Sequence, residues 1–260
     1  MCFFTKDNNV IAPLVPHDDV DRNSFAAVWD GTDGHLIRRI EKPLELRASV
    51  GQVGACDLSP DGTMFAAAGA GIDSRVVIYS TTDWSVVAVN AFSEGASRRT
   101  SISAIRFLHQ SRRIAVASIG ALFISDIGDG ENRSPVLRPL GELSFHSLDV
   151  DEEDQQVFVG GEWVPKGVQG MSPLVAYNLK SDTAMPMQDL GARGIQSIRW
   201  LGDGRLLVST ADSNKILMID QTLTSRFSQA VGIYENLYDA AVGGDRLAVI
   251  WGNRVVIYRR

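Results

Sequence analysis

Short β-strands separated by turns fill the 260-residue sequence and predict an all-β fold. The clearest unit has an apolar strand, the turn Ser59-Pro60-Asp61-Gly62, a small-residue strand, a β-branched strand and a fourth strand after Thr81-Thr82-Asp83. These four strands are predicted at residues 56–58, 64–68, 75–79 and 84–89. Variants of the unit recur along the whole sequence, so the fold is expected to be a repeat.

The spacing of the repeat indicates its architecture. The last apolar residue before the first turn of each unit recurs roughly every 42 to 54 residues, at Phe4, Leu58, Phe107, Val150, Trp200 and Val242. Four-stranded units of about 40 to 50 residues are typical of β-propeller blades. We therefore predict one β-propeller domain over residues 1–260, with units of approximately 1–50, 51–97, 98–143, 144–192, 193–233 and 234–260.

The same pattern of apolar runs and turns gives the strands of the other units. The first unit has a strand, a turn and a strand within residues 2–15, then a third strand at 24–30 and a fourth at 35–40. In the third unit Pro135 and Pro139 flank the outer strand, and proline is tolerated chiefly in edge strands. The sixth unit supplies only three strands. We expect about six four-stranded blades, with a last blade that is three-stranded or completed from elsewhere.

The three-stranded last unit leaves three explanations open. The chain could form a six-bladed propeller with a three-stranded last blade, or it could be a piece of a longer propeller. A partner protein could also donate a strand that completes the last blade.

Several fragments resemble the repeats of WD-repeat and YVTN-type β-propellers. They are DLSPDGTMFAAAG, IDSRVVIYS, SFAAVWDGTDGHLI and KILMIDQTLT, and Trp29-Asp30 matches the dipeptide that names the first family. Asp73 and Asp212 lie where the tight-turn aspartate of that family would be, whereas its Gly-His pair is missing. The resemblance implies a propeller fold whose stacked blades hold many loops rigidly.

Composition narrows the range of functions. The net charge of −6 argues against general nucleic-acid binding, which requires a concentrated excess of Lys and Arg. No apolar run approaches the roughly 20 residues that span a bilayer, and the start MCFFTKDNN has no secretory-signal pattern. Cys2 and Cys56 are too few for a disulfide framework and are expected to be free thiols. We expect a cytoplasmic protein.

The candidate interaction residues lie in two connections. The loop at residues 161–172 is longer than its counterparts and contains Trp163, Lys166 and Met171, residue types that are common at contact surfaces. Arg98 and Arg99, between the second and third units, could meet an acidic partner or a phosphate group. We predict a non-catalytic scaffold that binds one or more protein partners, with no cofactor.

A propeller enzyme is the main alternative. Asp57, Asp149 and Asp239, predicted at equivalent positions of first strands, could hold a metal in a central channel, as in a hydrolase or lactonase-like propeller. The two acidic runs at residues 149–154 and 126–131 could collect calcium but fit no calcium loop, and solvated turns explain them. The four histidines show no ligand spacing, and we predict no catalytic or metal residue; they are His17, His35, His109 and His146. A fragment of a larger propeller protein is the other alternative.

Overall fold

The computed structural model describes the greater part of the chain. The described residues are 3–5, 7–13, 24–41, 53–69, 75–92, 101–110, 112–118, 121–128, 143–163, 171–191, 194–210, 215–223, 226–230, 237–243, 246–251 and 254–259. Regular secondary structure in these ranges consists of β-strands. A search of the same residues finds no helix that is long and apolar enough to cross a membrane.

The chain divides into two compact units, and the first contains the first three antiparallel sheets apart from Ala121. Its bounds are Met1–Ser118 with Leu122–Val136. The first sheet has the order β1-β2-β3-β4, with β1 Phe3–Phe4, β2 Asn9–Pro13, β3 Ser24–Asp30 and β4 Leu36–Glu41. The second has the order β5-β6-β7-β8, with β5 Val53–Leu58, β6 Met64–Gly69, β7 Arg75–Ser80 and β8 Val86–Ala91. The third has the order β11-β10-β9, with β9 Ile102–Phe107, β10 Arg113–Ser118 and β11 Ala121–Asp126.

The second compact unit contains the last three sheets, and its bounds are Ile119–Ala121 with Leu137–Arg260. The fourth sheet has β12 Leu143–Val150, β13 Gln156–Trp163 and β14 Pro173–Asn178, with two short outer strands, β15 Thr183–Ala184 and β16 Gln188–Asp189, both paired with β14. The fifth has β17 Ile195–Trp200, β18 Arg205–Thr210, β19 Lys215–Asp220 and β20 Arg226–Ala230. The sixth has three described strands, β21 Leu237–Gly243, β22 Arg246–Trp251 and β23 Arg254–Arg259.

The predicted repeat is confirmed at strand level. Each of the six predicted recurring apolar residues lies in the first strand of its sheet, and the sixth sheet has three described strands. Several boundaries differ by one to three residues, as at the first strand of the second sheet, which begins at Val53. Trp84 lies in a turn with φ of 62°, so the fourth strand of that sheet begins at Val86. The predicted outer strand near Pro135 and Pro139 lies outside the described residues.

Five first strands share a β-bulge at one position. The bulged residue lies four positions before the recurring apolar residue in each case; these residues are Gly54, Ser103, His146, Gln196 and Tyr238. A bulge inserts one unpaired residue and increases the local twist of the strand. The repeat is therefore visible in the backbone as well as in the sequence, and the bulge has the same position in the first strands of both compact units.

A polar residue at the end of the third strand closes the following turn in several sheets. Asp30 Oδ1 accepts a hydrogen bond from the Thr32 N–H at 2.7 Å. Asp220 Oδ1 accepts from the Thr222 N–H at 3.0 Å, and Asn178 Oδ1 accepts from two backbone amides. Short polar side chains favour such turns because they bond backbone groups two residues ahead. The aspartate of the Trp29-Asp30 pair is thus a turn-closing residue.

Apolar layers lie between neighbouring sheets within each compact unit. In the first unit, Ile11 and Val28 of the first sheet cluster with the fully buried Phe65 and with Val77 of the second. In the second unit, Phe158 and Leu174 of the fourth sheet cluster with residues of the fifth that include Ile198. A four-stranded sheet cannot bury both of its faces alone, so stacking supplies the core. Complete burial of each large apolar side chain contributes about 1.5–3 kcal/mol.

Candidate functional site

Asp57 and Asp149 join neighbouring first strands. Asp57 Oδ2 on β5 accepts a hydrogen bond from the Phe107 N–H on β9 at 2.8 Å, and its Oδ1 lies 3.4 Å from Arg106 Nη1. In the second compact unit, Asp149 Oδ2 on β12 accepts from the Trp200 N–H on β17 at 2.8 Å. Each carboxylate therefore stabilises the contact between two sheets.

The third aspartate of the predicted channel set is not at an equivalent position. Asp57 and Asp149 lie one residue before the recurring apolar residue, opposite Ala66 and Phe158. Asp239 lies three residues before Val242 and pairs with Ile250. The expectation of three equivalent aspartates is wrong for Asp239, because this residue directly follows the bulge of its strand, whereas Asp57 and Asp149 lie three residues after theirs.

The expanded loop of the fourth sheet starts from a fixed base. Its first stem is the end of β13, where Trp163 pairs with Leu143 of β12. Its second stem is Ser172, which is fully buried. Ser172 donates its N–H to Asp189 Oδ1 at 3.1 Å, its Oγ accepts from the Gly194 N–H at 2.7 Å, and its carbonyl accepts from the Leu190 N–H at 3.1 Å. These bonds fix the backbone where the loop returns to the sheet.

The structure locates only part of the predicted interaction set. Met171 is half-buried beside Ser172, and Trp163 is the last residue of β13. The side chain of Trp163 lies outside the described part of the structure, as do the whole of Lys166, Arg98 and Arg99. The predicted roles of these four residues stay predictions.

His146 and Glu162 lie at the same end of the fourth sheet as the loop base. His146 is the bulged residue of β12, and Glu162 on β13 is paired with Ser144. Desolvation lowers the pKa of His146 below its ordinary value, and the Glu162 carboxylate opposes this shift. Gly194 also approaches Glu162: a Cβ on this glycine, at φ +91°, would lie 3.3 Å from the Glu162 Cβ. Glu162 and Gly194 were missed in the sequence because their contacts are long-range.

The remaining acidic groups mainly close turns. Asp151 Oδ1 accepts the N–H groups of Gln155 and Gln156 at 2.7 and 3.1 Å, so this residue of the acidic run closes the turn that follows β12. Within the described ranges, Asp30, Asp33 and His35 form the one grouping with ligand atoms close enough for a metal ion. Asp33 Oδ1 accepts from the His35 N–H at 3.0 Å, and this bond lowers the pKa of Asp33. The hydrogen bond from the Thr32 N–H lowers the pKa of Asp30.

The structure describes only some of the other histidines and turn aspartates. His35 and His109 are exposed, as predicted for turn residues. His17, Asp73 and Asp212 lie outside the described residues, as do Asp129 and Glu131 of the second acidic run.

Exposed apolar side chains occur at the start of two outer strands. Leu36 and Ile37 on β4 and Val86 and Val87 on β8 are 44 to 47% exposed. Arg38 Nη1 donates to the Asp83 carbonyl at 3.0 Å and so connects these two strand starts. Ile37 and Val87 are bulged out of register with the neighbouring strands, an arrangement that hinders further pairing at an edge.

Comparison with known proteins supports the fold. No protein-family model matches the chain, and none of the curated proteins matches it. Among solved structures, the chain is similar to the β-propeller domain of Cps50 (Swd1) from Myceliophteria thermophila. The TM-score is 0.69 at 13% sequence identity, over 100% of this chain and 82% of that chain. The chain has a β-propeller fold, and we call its six sheets blades.

Proposed function

We propose that the chain is a non-catalytic scaffold propeller that binds a protein partner through the loop end of its fourth blade. One observation supports this most directly: the fully buried Ser172 ties the returning stem of the loop to Asp189, Leu190 and Gly194. A loop that starts from a fixed base loses less conformational entropy when it binds. Trp163, Lys166 and Met171 supply aromatic, charged and flexible apolar contacts of the kind that interfaces use.

The use of the first-strand carboxylates favours binding over catalysis. The oxygens of Asp57 accept from the Phe107 amide and from Arg106, and Asp149 accepts from the Trp200 amide. A carboxylate that accepts a backbone hydrogen bond from a neighbouring sheet stabilises the fold. The hydrolase alternative would need these groups to turn towards a metal or a substrate.

The turn chemistry supports a WD-repeat or YVTN-type propeller. Asp30, Asn178 and Asp220 end third strands of three blades and close the turns that follow. The aspartate of the Trp-Asp dipeptide in the first blade thus closes its turn in the same way as the short polar residues of these other blades. We infer that the missing dipeptides are replaced by these short polar residues.

The test is site-specific photo-crosslinking from the loop. A photoreactive residue replaces Met171, and cross-linked proteins are identified by mass spectrometry with the native protein and with Trp163→Ala/Lys166→Glu. The expected result is a defined partner that the loop variant no longer binds. A matched control, Val86→Thr/Val87→Thr, changes exposed apolar residues of another blade and should keep the partner.

Two outcomes would contradict the proposal. Loss of the partner only in the β8 control, or in Arg98→Glu/Arg99→Glu, would place the interaction on another surface. Metal-dependent turnover of ester or lactone substrates that Asp149→Asn abolishes, while the fold is retained, would favour the enzyme alternative.

A further inference from the structure

The pentapeptide Arg-Val-Val-Ile-Tyr occurs twice, at residues 75–79 and 254–258. Both copies form the third strand of a blade, β7 in the second blade and β23 in the sixth. In β7, Ile78 pairs with Ala66 on one side and Ala88 on the other and is completely buried. In β23, Ile257 pairs with Ala248 and is 61% exposed. β7 therefore has a paired strand on both sides, whereas β23 has one among the described residues.

β23 has the features of a strand that can accept another strand. It pairs with β22 over six residue pairs without a register break. In the part of the chain that the structure describes, no strand pairs with its other side. The outer strands β4 and β8 are bulged, and such bulges hinder pairing, whereas β23 is regular, as is the outer strand β20. An unprotected edge of this kind is the usual acceptor in β-strand addition.

The charged residues of β23 indicate the chemistry of the incoming strand. Arg254 and Arg259 occupy its first and last positions, in a chain whose net charge is −6. Symmetric antiparallel pairing of two copies of β23 would put Arg254 opposite Arg259, and like charges directly opposite each other destabilise a sheet. A strand with acidic residues at these two positions would be favoured by the same rule.

We propose that β23 binds an antiparallel strand of a partner protein that has a small residue opposite Ile257, apolar neighbours, and acidic residues opposite Arg254 and Arg259. The small residue follows from β8, where Ala88 lies opposite Ile78. This surface is separate from the fourth-blade loop, so the proposal does not depend on the function assigned to that loop.

The probe is a peptide that copies the outer strand of the second blade. It has the sequence of residues 84–92, with Ser85→Glu and Ala91→Glu placing acidic residues opposite Arg259 and Arg254. Fluorescence anisotropy of the labelled peptide is measured against the full chain. Saturable binding is expected, with at least about a tenfold loss of affinity for Ile257→Asp and for a peptide with Lys at both positions. Val87→Asp, which changes an exposed residue of β8, is the matched control and should bind normally.

A charge-swap variant keeps the test decisive if Ile257→Asp alters folding. Arg254→Glu/Arg259→Glu should prefer the Lys peptide to the Glu peptide. Trp163→Ala/Met171→Ala should bind the Glu peptide as the native chain does, which separates this surface from the loop. Absence of saturable binding, equal binding by Ile257→Asp, or a native dimer that Ile257→Asp makes monomeric would each overturn the proposal.

Discussion

Single polar side chains in this protein connect one blade to the next. Asn90 on β8 is 1% exposed, and its Nδ2 donates to Ser125 Oγ and to the Asp126 carbonyl, both at 2.7 Å. Its Oδ1 accepts from the Gly128 N–H at 3.4 Å. The Asn90 side chain thereby bonds both β11 of the third blade and the turn that follows this strand.

We predict that Asn90→Ala destabilises the fold by about 2–3 kcal/mol, because it leaves buried polar groups without a partner. Urea denaturation measures the loss. Asn178→Ala is the control: the Asn178 amide closes an exposed turn, so its removal should cost less than about 1 kcal/mol. Equal losses for the two variants would show that the Asn90 bridge contributes little.

His146, at the loop end of the fourth blade, makes the stability of the fold depend on pH. Its pKa in the folded chain lies below the unfolded value because desolvation outweighs the attraction of Glu162. Protonation therefore favours the unfolded chain. The contribution of His146 to stability is complete above the unfolded pKa of about 6.5 and is lost as the pH falls through and below that value.

We predict that Glu162→Gln lowers the pKa of His146 further, because it removes the carboxylate that raises this pKa. An NMR titration of the imidazole C–H signals measures the change. Glu152→Gln, in the exposed turn after β12, should leave the His146 value unchanged. A rise in the His146 pKa in Glu162→Gln would contradict the electrostatic argument.

At the scale of the element, the bulge in β12 depends on close approach of β13. A Cβ on Gly161 would lie 1.8 Å from the Ser144 carbonyl oxygen and 2.7 Å from the Phe145 Cα. The register of this strand pair shifts between Phe145 and Ser147. Glycine at position 161 therefore lets the two backbones meet beside the bulge, just before the expanded loop.

Gly161→Ala should destabilise the protein by roughly 3 kcal/mol, because neither backbone can move without breaking the pairing of the strands. Thermal unfolding measures this effect. Gly34→Ala is the comparison: its position is open, and only its φ of +75° is unfavourable, so a cost of about 1 kcal/mol is expected. A larger loss for Gly34→Ala than for Gly161→Ala would reject the close-approach explanation.

At the scale of the molecule, each compact unit repeats one way of joining adjacent blades. Asp57 reaches the amide of Phe107 in the first unit, and Asp149 reaches the amide of Trp200 in the second, both at 2.8 Å. The two aspartates lie at the same register position. They therefore define a common tie between first strands, whereas from sequence they were considered only as metal ligands of the enzyme alternative.

We predict that Asp57→Ala and Asp149→Ala each cost about 2–3 kcal/mol, since each leaves a backbone amide in the contact between two blades without its acceptor. Calorimetry of the full chain measures both. Asp203→Ala removes an exposed carboxylate paired with Arg205 and should cost less than about 1 kcal/mol. Losses no greater than that of the control would mean that packing alone joins the blades.

The repeat and most strands were predictable because their causes are local. Apolar runs, turn residues such as Ser59-Pro60-Asp61-Gly62, and a regular spacing all act within a few residues of the chain. The length of the fourth-blade loop was visible for the same reason. Its anchorage was not, because Ser172 meets Gly194 from 22 residues away. The hydrogen bond between Asp57 and the Phe107 amide joins residues 50 positions apart and could not be predicted for the same reason.

The two copies of Arg-Val-Val-Ile-Tyr separate what sequence determined from what tertiary structure decided. By itself the sequence determined that both segments are β-strands at the same position of a blade, because β-branched and aromatic residues favour the extended backbone. Only the tertiary structure decided that Ile78 is buried while Ile257 is 61% exposed. The physical reason is that burial is set by contacts that are distant in sequence: Ile78 pairs with strands on both sides, whereas Ile257 pairs with Ala248 alone among the described residues.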